Sequence, residues 1–279
     1  MEGRKNRVRL DTLLVEKELV DSKSRARAEI MAGNVYVDGF KKDKPGYFVT
    51  TTSDIKLKKP LNPYVSRGGL KLQKAIDEFG ITLDGKVVLD VGASTGGFTD
   101  CALKHGASLV YALDVGFGQL AWELRIHPKV INLERFNVRN LNPDHLDNTP
   151  DLALIDASFI SLKLILPVIA RFPIHQVICL IKPQFEAKKE QVGKKGVVKK
   201  AEVHQEVINH IIESAEQLNY QLKGLTYSPL QGPKGNIEYF IQLRYFKEKI
   251  YFEGYDQKDR MDLIDTVVYE SHNYFKERS

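Results

Sequence analysis

The sequence has 279 residues, of which 43% are hydrophobic and 28% are charged, the proportions of an ordinary soluble globular protein. Its apolar runs fall short of the roughly 18 residues that a membrane-spanning helix needs, and the opening stretch MEGRKNRVRLD lacks the apolar core of a secretory signal. Cys101 and Cys179 are far apart without metal-ligand spacing, and the seven histidines are scattered. We therefore expect a cytoplasmic protein that holds no metal and does not associate with a membrane.

The net charge of +5 is concentrated at one end of the chain. Residues 1–60 contain 14 Lys/Arg and 9 Asp/Glu, whereas residues 61–279 contain 27 of each. A basic N-terminal module that faces a polyanion would explain this asymmetry. A solvated basic face without any partner would show the same charge.

The first sixty residues are predicted to form two helices followed by short strands. LDTLLVEKEL has leucines, the last of them Leu19, near helical spacing, and DSKSRARAEIMAG begins at Asp21 or Ser22 as a cap and ends on Gly33. NVYVDGF and DIKLK alternate like short strands around a turn. The second helix and the turn VDGFKKDK carry clustered basic side chains, which are suited to gripping phosphates.

The stretch RVRLDTLLVEKELVDSKSRARAEIMAGNVYVDG, residues 7–39, resembles the RNA-binding module named after the fourth small-subunit ribosomal protein. SRARAEIMAGNVYVDG is its specific portion, and the module is expected to end near Lys59. The resemblance implies binding to structured RNA, usually ribosomal RNA or tRNA. The basic residues expected to contact RNA are Arg7, Arg9, Lys23, Arg25, Arg27, Lys41 and Lys42.

The pattern changes after KKPLNPYVS, a plausible linker with two prolines. KVVLDVG, SLVYALDV, KVINLE, DLALIDAS and QVICLIK are short β-rich runs separated by helical segments, which is typical of a doubly wound α/β fold with a mainly parallel sheet. QLKGLTYS and NIEYFIQLRYF lie too close together for a helical crossover, so this last pair should be antiparallel. An amphipathic helix, DRMDLIDTVVYESHNYFKER, is predicted at the end.

We expect four segments with distinct roles. These are a small α+β RNA-binding domain at 1–60, a linker at 61–67, the α/β domain at 68–247 and a C-terminal helical extension at 248–279.

A glycine-rich turn follows the first strand of the α/β domain in LDVGASTGGFTDCAL. Glycines let the backbone approach a ligand where a Cβ would clash, but their spacing here is neither G-x-G-x-x-G nor a Walker motif. The second strand ends at Asp114, where a carboxylate can accept hydrogen bonds from a ribose diol. These features resemble the S-adenosylmethionine site of Rossmann-like methyltransferases.

That resemblance implies a set of cofactor contacts along the first three strands. They are Asp90, Gly92, Ala93, Ser94, Gly96, Gly97, Phe98, Asp114 and Asn137. Asn137 would lie near the adenine. The alternative that Asn137 is an ordinary turn residue without a ligand contact is equally good.

Four charged residues are expected at one edge of the sheet, where open α/β sheets bind their ligands. Asp156 ends the fourth strand, Lys182 ends the fifth, and Glu238 begins the antiparallel strand on the same edge. Lys71 lies on a helix that precedes the first strand. Each has an ordinary interpretation alone, as a solvated lysine, a helix-capping aspartate or an exposed edge glutamate. Jointly they predict two lysines and two carboxylates beside the cofactor pocket.

The order Lys71, Asp156, Lys182, Glu238 resembles the catalytic tetrad of FtsJ-type RNA ribose 2'-O-methyltransferases. YVSRGGLKL, LDVGASTGGFTD, DVGFGQLAWELR, DASFISL, IKPQFE and GNIEYF further resemble the TlyA family across nearly the whole chain. Members join the same RNA module to an FtsJ-like domain, and many carry the label hemolysin. The resemblance implies S-adenosylmethionine as cofactor, ribosomal RNA or ribosomal subunits as partner, and methylation of a cytidine 2'-hydroxyl.

The residue types suit that reaction. A ribose hydroxyl must lose its proton as it attacks the methyl group, and an amine can accept the proton only when it is uncharged. Burial and a neighbouring cation both favour the uncharged amine. We therefore expect Lys182 to be the base with Lys71 as the neighbouring cation, and Lys71 as base is the alternative.

Two other functions and one loop stay open at this point. A catalytically silent RNA-binding or ribosome-assembly factor would share the N-terminal module, and a membrane-active hemolysin would fit the family label. EAKKEQVGKKGVVKK, residues 186–200, has six lysines and two glutamates. It could be a mobile lid that closes on RNA phosphates or a disordered, solvated loop.

Overall fold

The computed structural model describes residues 7–17, 19–20, 22–58, 62–246 and 255–278. The chain divides into two compact units, Met1–Pro63 and Tyr64–Ser279. The division falls within the expected linker, and residues 64–67 belong to the second unit.

The first unit is a small α+β domain. Its helices are α1 (Leu10–Glu16) and α2 (Lys23–Met31), and its strands are β1 (Arg7–Arg9), β2 (Val35–Val37), β3 (Phe40–Lys42), β4 (Phe48–Thr50) and β5 (Ile55–Leu57). β1 pairs with β4, and β2 lies between β3 and β5, all antiparallel. Leu10, Leu13 and Leu14 of α1 pack against Ile30 of α2 and Val35 of β2 in its core.

Helix α2 begins and ends where the sequence predicts. The Ser22 hydroxyl oxygen accepts a hydrogen bond from Arg25 N at 3.2 Å, which confirms one of the two predicted caps; Asp21 lies outside the described residues. The chain leaves the helix through Gly33 at φ +72°. Helix α1 is shorter than predicted, since it ends at Glu16 and leaves Leu19 37% exposed.

The second unit is a mixed α/β domain. Its helices are α3 (Arg67–Phe79), α4 (Gly97–Lys104), α5 (Trp122–Arg125), α6 (Leu162–Ile169), α7 (Pro183–Glu186), α8 (Ala201–Glu216) and α9 (Gln257–Lys276). Its strands are β6 (Val87–Val91), β7 (Leu109–Leu113), β8 (Val130–Leu133), β9 (Leu152–Ile155), β10 (Gln176–Ile181), β11 (Tyr220–Tyr227) and β12 (Tyr239–Tyr245).

These strands form a seven-stranded sheet in the order β11-β12-β10-β9-β6-β7-β8. β12 runs antiparallel to both of its neighbours, and the other strands pair in parallel. The predicted doubly wound fold with an antiparallel last pair is thereby confirmed. The chain winds outward from β6 to β8 and then returns to place β9 beside β6, so the winding reverses between these two strands. Ligands of open α/β sheets bind at such a reversal, outside the carboxyl ends of the strands.

Buried apolar side chains cover both faces of this sheet. Leu72 and Ala75 of α3 pack on one face, while Ile165 of α6 and Ile208 of α8 pack on the other. Coverage of both faces explains why the parallel strands are continuous apolar runs.

The predicted C-terminal helix is confirmed as α9, which belongs to the second unit. It packs on α8 and β11. Arg260 of α9 is 9% exposed and donates two hydrogen bonds to the Glu216 carboxylate, at 2.9 and 3.0 Å. Residues 247–254, at the start of the expected extension, lie outside the described residues.

Candidate active site

Two strand ends approach each other closely at the glycine-rich turn after β6. Gly92 adopts φ +88°, and a Cβ there would lie 2.6 Å from the backbone oxygen of Asp156, the residue that follows β9. Gly92 N donates to Leu113 O at 2.8 Å, which ties the turn to the end of β7 as well. Only glycine combines this dihedral angle with this approach. The turn therefore sits where the winding of the sheet reverses.

A cavity of about 720 Å³ opens beside this turn, within the size range of small-molecule sites. Asp114 and Asn137 both line it, together with Gly92 and Ser94. The Asp114 carboxylate accepts hydrogen bonds from Ser94 N and Gly116 N, both at 2.7 Å, and these bonds leave lone pairs for a ligand. Asn137 Oδ1 accepts from Arg139 N at 3.0 Å, so this residue also serves as a turn cap.

Of the other expected cofactor residues, most line a second cavity, and the rest support the glycine-rich turn. Ala93, Ser94, Gly97 and Phe98 line a second cavity of about 430 Å³, which shares Gly92, Ser94, Asp156 and Ser158 with the first. Gly96 lines neither cavity; at φ +95° it leaves room for Leu124, whose Cδ1 atom would lie 2.2 Å from an added Cβ.

Asp90 is buried beneath the turn and lines neither cavity. Its Oδ2 atom accepts a hydrogen bond from the Thr99 hydroxyl at 2.6 Å, and its Oδ1 atom is buried without a partner in the described part of the chain. Burial raises the pKa of Asp90 to about 7. Its neighbour Thr99 lies on α4, so the pair supports the turn from below.

The four charged residues converge as two ion pairs. Lys182 Nζ lies 2.7 Å from Asp156 Oδ1, and Lys71 Nζ lies 2.5 Å from Glu238 Oε2. Register explains part of this: Ile181 pairs with Tyr239, so Lys182 and Glu238 leave adjacent strands at the same level. Lys71, Asp156 and Lys182 line the second cavity, and Glu238 contacts Lys71 behind them.

Burial excludes the ordinary interpretations of these residues. Lys71 and Lys182 are each 9% exposed and Glu238 is 1% exposed, so none of the three is a solvated surface group. Asp156 does not cap the following helix, because Ser161 caps α6 by accepting from Lys163 N at 3.1 Å. Buried charges in proteins are usually paired, and the pairing here holds them at the wall of a cavity.

The turn after β9 contributes two residues that sequence reasoning missed. Lys182 Nζ donates a hydrogen bond to Ser158 Oγ at 2.8 Å. Phe159 is 89% exposed at φ +63°, a conformation uncommon for a bulky residue, and its ring lies 4.9 Å from that of Phe185. Their position directly after Asp156 in DASF was the available signal. An exposed aromatic ring at the rim of a cavity can stack on a nucleic-acid base.

The lysine-rich segment 186–200 has anchors at both ends. Glu186 accepts hydrogen bonds from the Ser161 hydroxyl at 2.6 Å and from Leu162 N at 2.7 Å, and burial raises the pKa of Glu186. Val198 is buried, and its N atom donates to Asn236 Oδ1 at 2.9 Å. All six lysines of the segment are exposed: Lys188, Lys189, Lys194, Lys195, Lys199 and Lys200. These contacts favour an ordered cationic surface over a free loop.

In the first unit, two of the expected RNA contacts, Arg9 and Arg27, are held by a buried carboxylate. Asp11 is 1% exposed and accepts hydrogen bonds from Arg9 Nη2 at 2.8 Å and from Arg27 Nε at 3.3 Å. The Arg9 hydrogen bond is the main cause that lowers the pKa of Asp11 to about 2. Both arginines keep about half of their side-chain surface exposed.

The remaining expected RNA contacts lie elsewhere on the first unit. Arg7, Lys23, Arg25 and Lys41 are exposed, and Lys42 is half-buried. Arg25 pairs with Glu29 at 2.9 Å, and Lys42 Nζ lies 4.4 Å from the centre of the Tyr47 ring.

Within the described ranges, no helix is both long and apolar enough to cross a membrane. The same residues contain no group of three or more His, Cys, Asp or Glu side chains placed to hold a metal ion.

Two family models match the chain in agreement with its two units. A model of FtsJ-like methyltransferases matches residues 64–245, and a model of the S4 domain matches residues 8–55.

Similar proteins match along most of their own length. The chain is 42% identical to the 16S/23S rRNA (cytidine-2'-O)-methyltransferase TlyA of Mycobacterium tuberculosis, over 85% of this chain and 90% of that protein. It is 40% identical to Hemolysin A of Brachyspira hyodysenteriae, over 83% of this chain and 98% of that protein. The solved structure of a hemolysin-named protein from Streptococcus thermophilus has 39% identity and a TM-score of 0.74 over 99% of both chains.

Proposed function

The chain belongs to the TlyA family, which joins an S4 domain to an FtsJ-like methyltransferase domain, and on this premise we propose that it methylates a cytidine 2'-hydroxyl in ribosomal RNA. The observation that carries the proposal is the convergence of Lys71, Asp156, Lys182 and Glu238 at one sheet edge beside two connected cavities. We propose cytidine and ribosomal RNA as the substrate because the name of the mycobacterial relative specifies them. Such a substrate would place the enzyme in the cytoplasm.

S-adenosylmethionine is the methyl donor of this enzyme family, and when bound it supplies an electrophilic methyl group on sulfur. The residues fit it: Gly92 lines the first cavity and lets the turn lie directly against the end of β9, and Asp114 has lone pairs for a ribose diol. Asn137 lines the same cavity from the segment that follows β8 and can contact the adenine.

The second cavity would take the ribose. Lys182 Nζ, at its wall, would accept the proton of the 2'-hydroxyl, and Asp156 and Ser158 would hold the amine in place. The Lys71–Glu238 pair would orient the hydroxyl from the opposite side of the site. Alignment of the hydroxyl oxygen with the methyl group would supply much of the rate enhancement.

The S4 domain and the lysine-rich segment would hold the RNA through its phosphates. The arginines at Asp11 and the exposed lysines between residues 188 and 200 present positive charge, which attracts phosphates of any sequence, so they would supply affinity and orientation rather than sequence selection.

Transfer of labelled methyl from S-adenosylmethionine to purified ribosomal RNA and to isolated subunits tests this function, with mapping of the modified nucleotides. We expect wild-type transfer to a cytidine ribose, and loss of transfer in Lys182→Ala with RNA binding within about twofold of wild type. Lys258→Ala, which alters an exposed lysine on α9, is the matched control. No transfer by wild type would leave an RNA-binding factor, and an active Lys182→Ala enzyme would exclude Lys182 as the base.

A further inference from the structure

Two oxygen atoms of a single turn lie against the Lys182 ammonium group. Lys182 Nζ donates to Ser158 Oγ at 2.8 Å in an aligned hydrogen bond. It also lies 2.7 Å from Asp156 Oδ1, but not in line for a hydrogen bond. In the described part of the chain no other group accepts from this nitrogen. Among the described residues, Ser158 therefore provides the only aligned hydrogen bond at the proposed base.

The hydrogen bond to Ser158 restricts the direction in which the lone pair of an uncharged Lys182 can point. A lysine nitrogen has four tetrahedral positions, and one is bonded to Cε. One N–H bond points at Ser158, and the charge of Asp156 draws a second toward the same turn, so the lone pair of the uncharged amine takes a remaining position. Lys182 lines the cavity proposed for the ribose, so an N–H bond fixed on Ser158 leaves a remaining position of the nitrogen for that cavity.

Ser158 is poorly explained as a structural residue. Its side chain is exposed and lines both cavities. The turn is held by other contacts, among them the hydrogen bond from Asp156 N to Val91 O at 2.9 Å. Loss of the hydroxyl should therefore leave the fold intact.

We propose that Ser158 is a positioning residue that orients the lone pair of Lys182 toward the ribose hydroxyl. The proposal rests on the proposed function, since it requires Lys182 to be the base. In the reaction, the hydroxyl proton moves to Lys182 Nζ as the oxygen bonds to the methyl group and the carbon–sulfur bond breaks. Ser158 keeps its own proton throughout.

Ser158→Ala and Ser158→Thr test this role, because threonine keeps the hydroxyl. For Ser158→Ala we expect kcat to fall about tenfold, equivalent to about 1.4 kcal/mol. The KM for RNA and the calorimetric Kd for S-adenosylmethionine should stay within about twofold. Ser158→Thr should recover kcat to within about threefold of wild type. Ser108→Ala, which removes an exposed hydroxyl bonded to Gly85 O at 2.9 Å, is the matched control and should not change kcat.

Three outcomes would overturn the positioning role alone. These are an unchanged kcat in Ser158→Ala, a defect that disappears at saturating S-adenosylmethionine, and equal loss in the alanine and threonine variants. The second outcome would make Ser158 a cofactor contact. Absence of methyl transfer by the wild-type protein would instead overturn the proposed function, and the role of Ser158 with it.

Discussion

Gly92→Ala tests the close approach on which the site depends. At φ +88° an alanine is strained by about 1–2 kcal/mol. Its Cβ would also lie 2.6 Å from Asp156 O and 3.0 Å from Ala157 Cα, which are backbone atoms of a neighbouring strand end. Overpacking of this kind adds about 1–3 kcal/mol. We expect a total loss of about 2–5 kcal/mol in the free energy of unfolding of the second unit.

Gly80→Ala isolates the contribution of the backbone angle. Gly80 ends α3 at φ +61°, and an added Cβ there would meet no atom within 4 Å. This variant should lose only about 1–2 kcal/mol. Urea unfolding of the full chain gives both values, and calorimetry gives the affinity for S-adenosylmethionine. That affinity should fall in Gly92→Ala alone, because the clash displaces the turn that lines both cavities. Equal destabilisation of the two variants would refute the close approach.

Three further predictions concern buried charges. Because the pKa of Asp11 is lowered to about 2, its stabilising effect should be lost as the pH falls from about 4 to 2. NMR of the full chain should show that the loss of stability over this pH range is smaller in Asp11→Asn than in wild type. Because the pKa of Asp90 is raised to about 7, folding favours its protonated form, so stability should decline as the pH rises from about 4 to 7. Urea unfolding should show that the free energy of unfolding depends less on pH in Asp90→Asn than in wild type. Glu238→Leu should cost about 3–5 kcal/mol by leaving Lys71 uncompensated, and Lys71→Met added to it should restore most of the unfolding free energy without restoring methyl transfer.

The succession of strands along the chain and the edge of the sheet that carries the site could be predicted from the sequence. Buried parallel strands are short apolar runs, and Asp156 and Lys182 directly follow two of them. Since the carboxyl ends of parallel strands lie at one edge of the sheet, residues that directly follow such strands in the sequence lie close together in the structure. The β1–β4 pair was missed because three-residue strands contain too little alternation to be recognised.

The pairing of the charges could not be predicted in this way. Lys71 and Glu238 are separated by 167 positions, and which carboxylate each lysine contacts depends on side-chain rotamers rather than on strand order. The same holds for Arg9, which was expected to meet RNA directly. Its hydrogen bonds to Asp11 form at the junction of β1 and α1, where the periodicity of the sequence does not predict side-chain contacts.

The unequal surroundings of the two lysines bear on which of them is the base. Lys71 is the direct partner of Glu238, whose side chain is 1% exposed, so an uncharged Lys71 would leave a buried carboxylate without compensation. Lys182 is held by the neutral Ser158 and by Asp156, whose side chain is 19% exposed and open to water. Neutralising Lys182 therefore leaves a carboxylate that solvent can still stabilise. This difference supports our proposal that Lys182 is the base and that Lys71 orients the substrate.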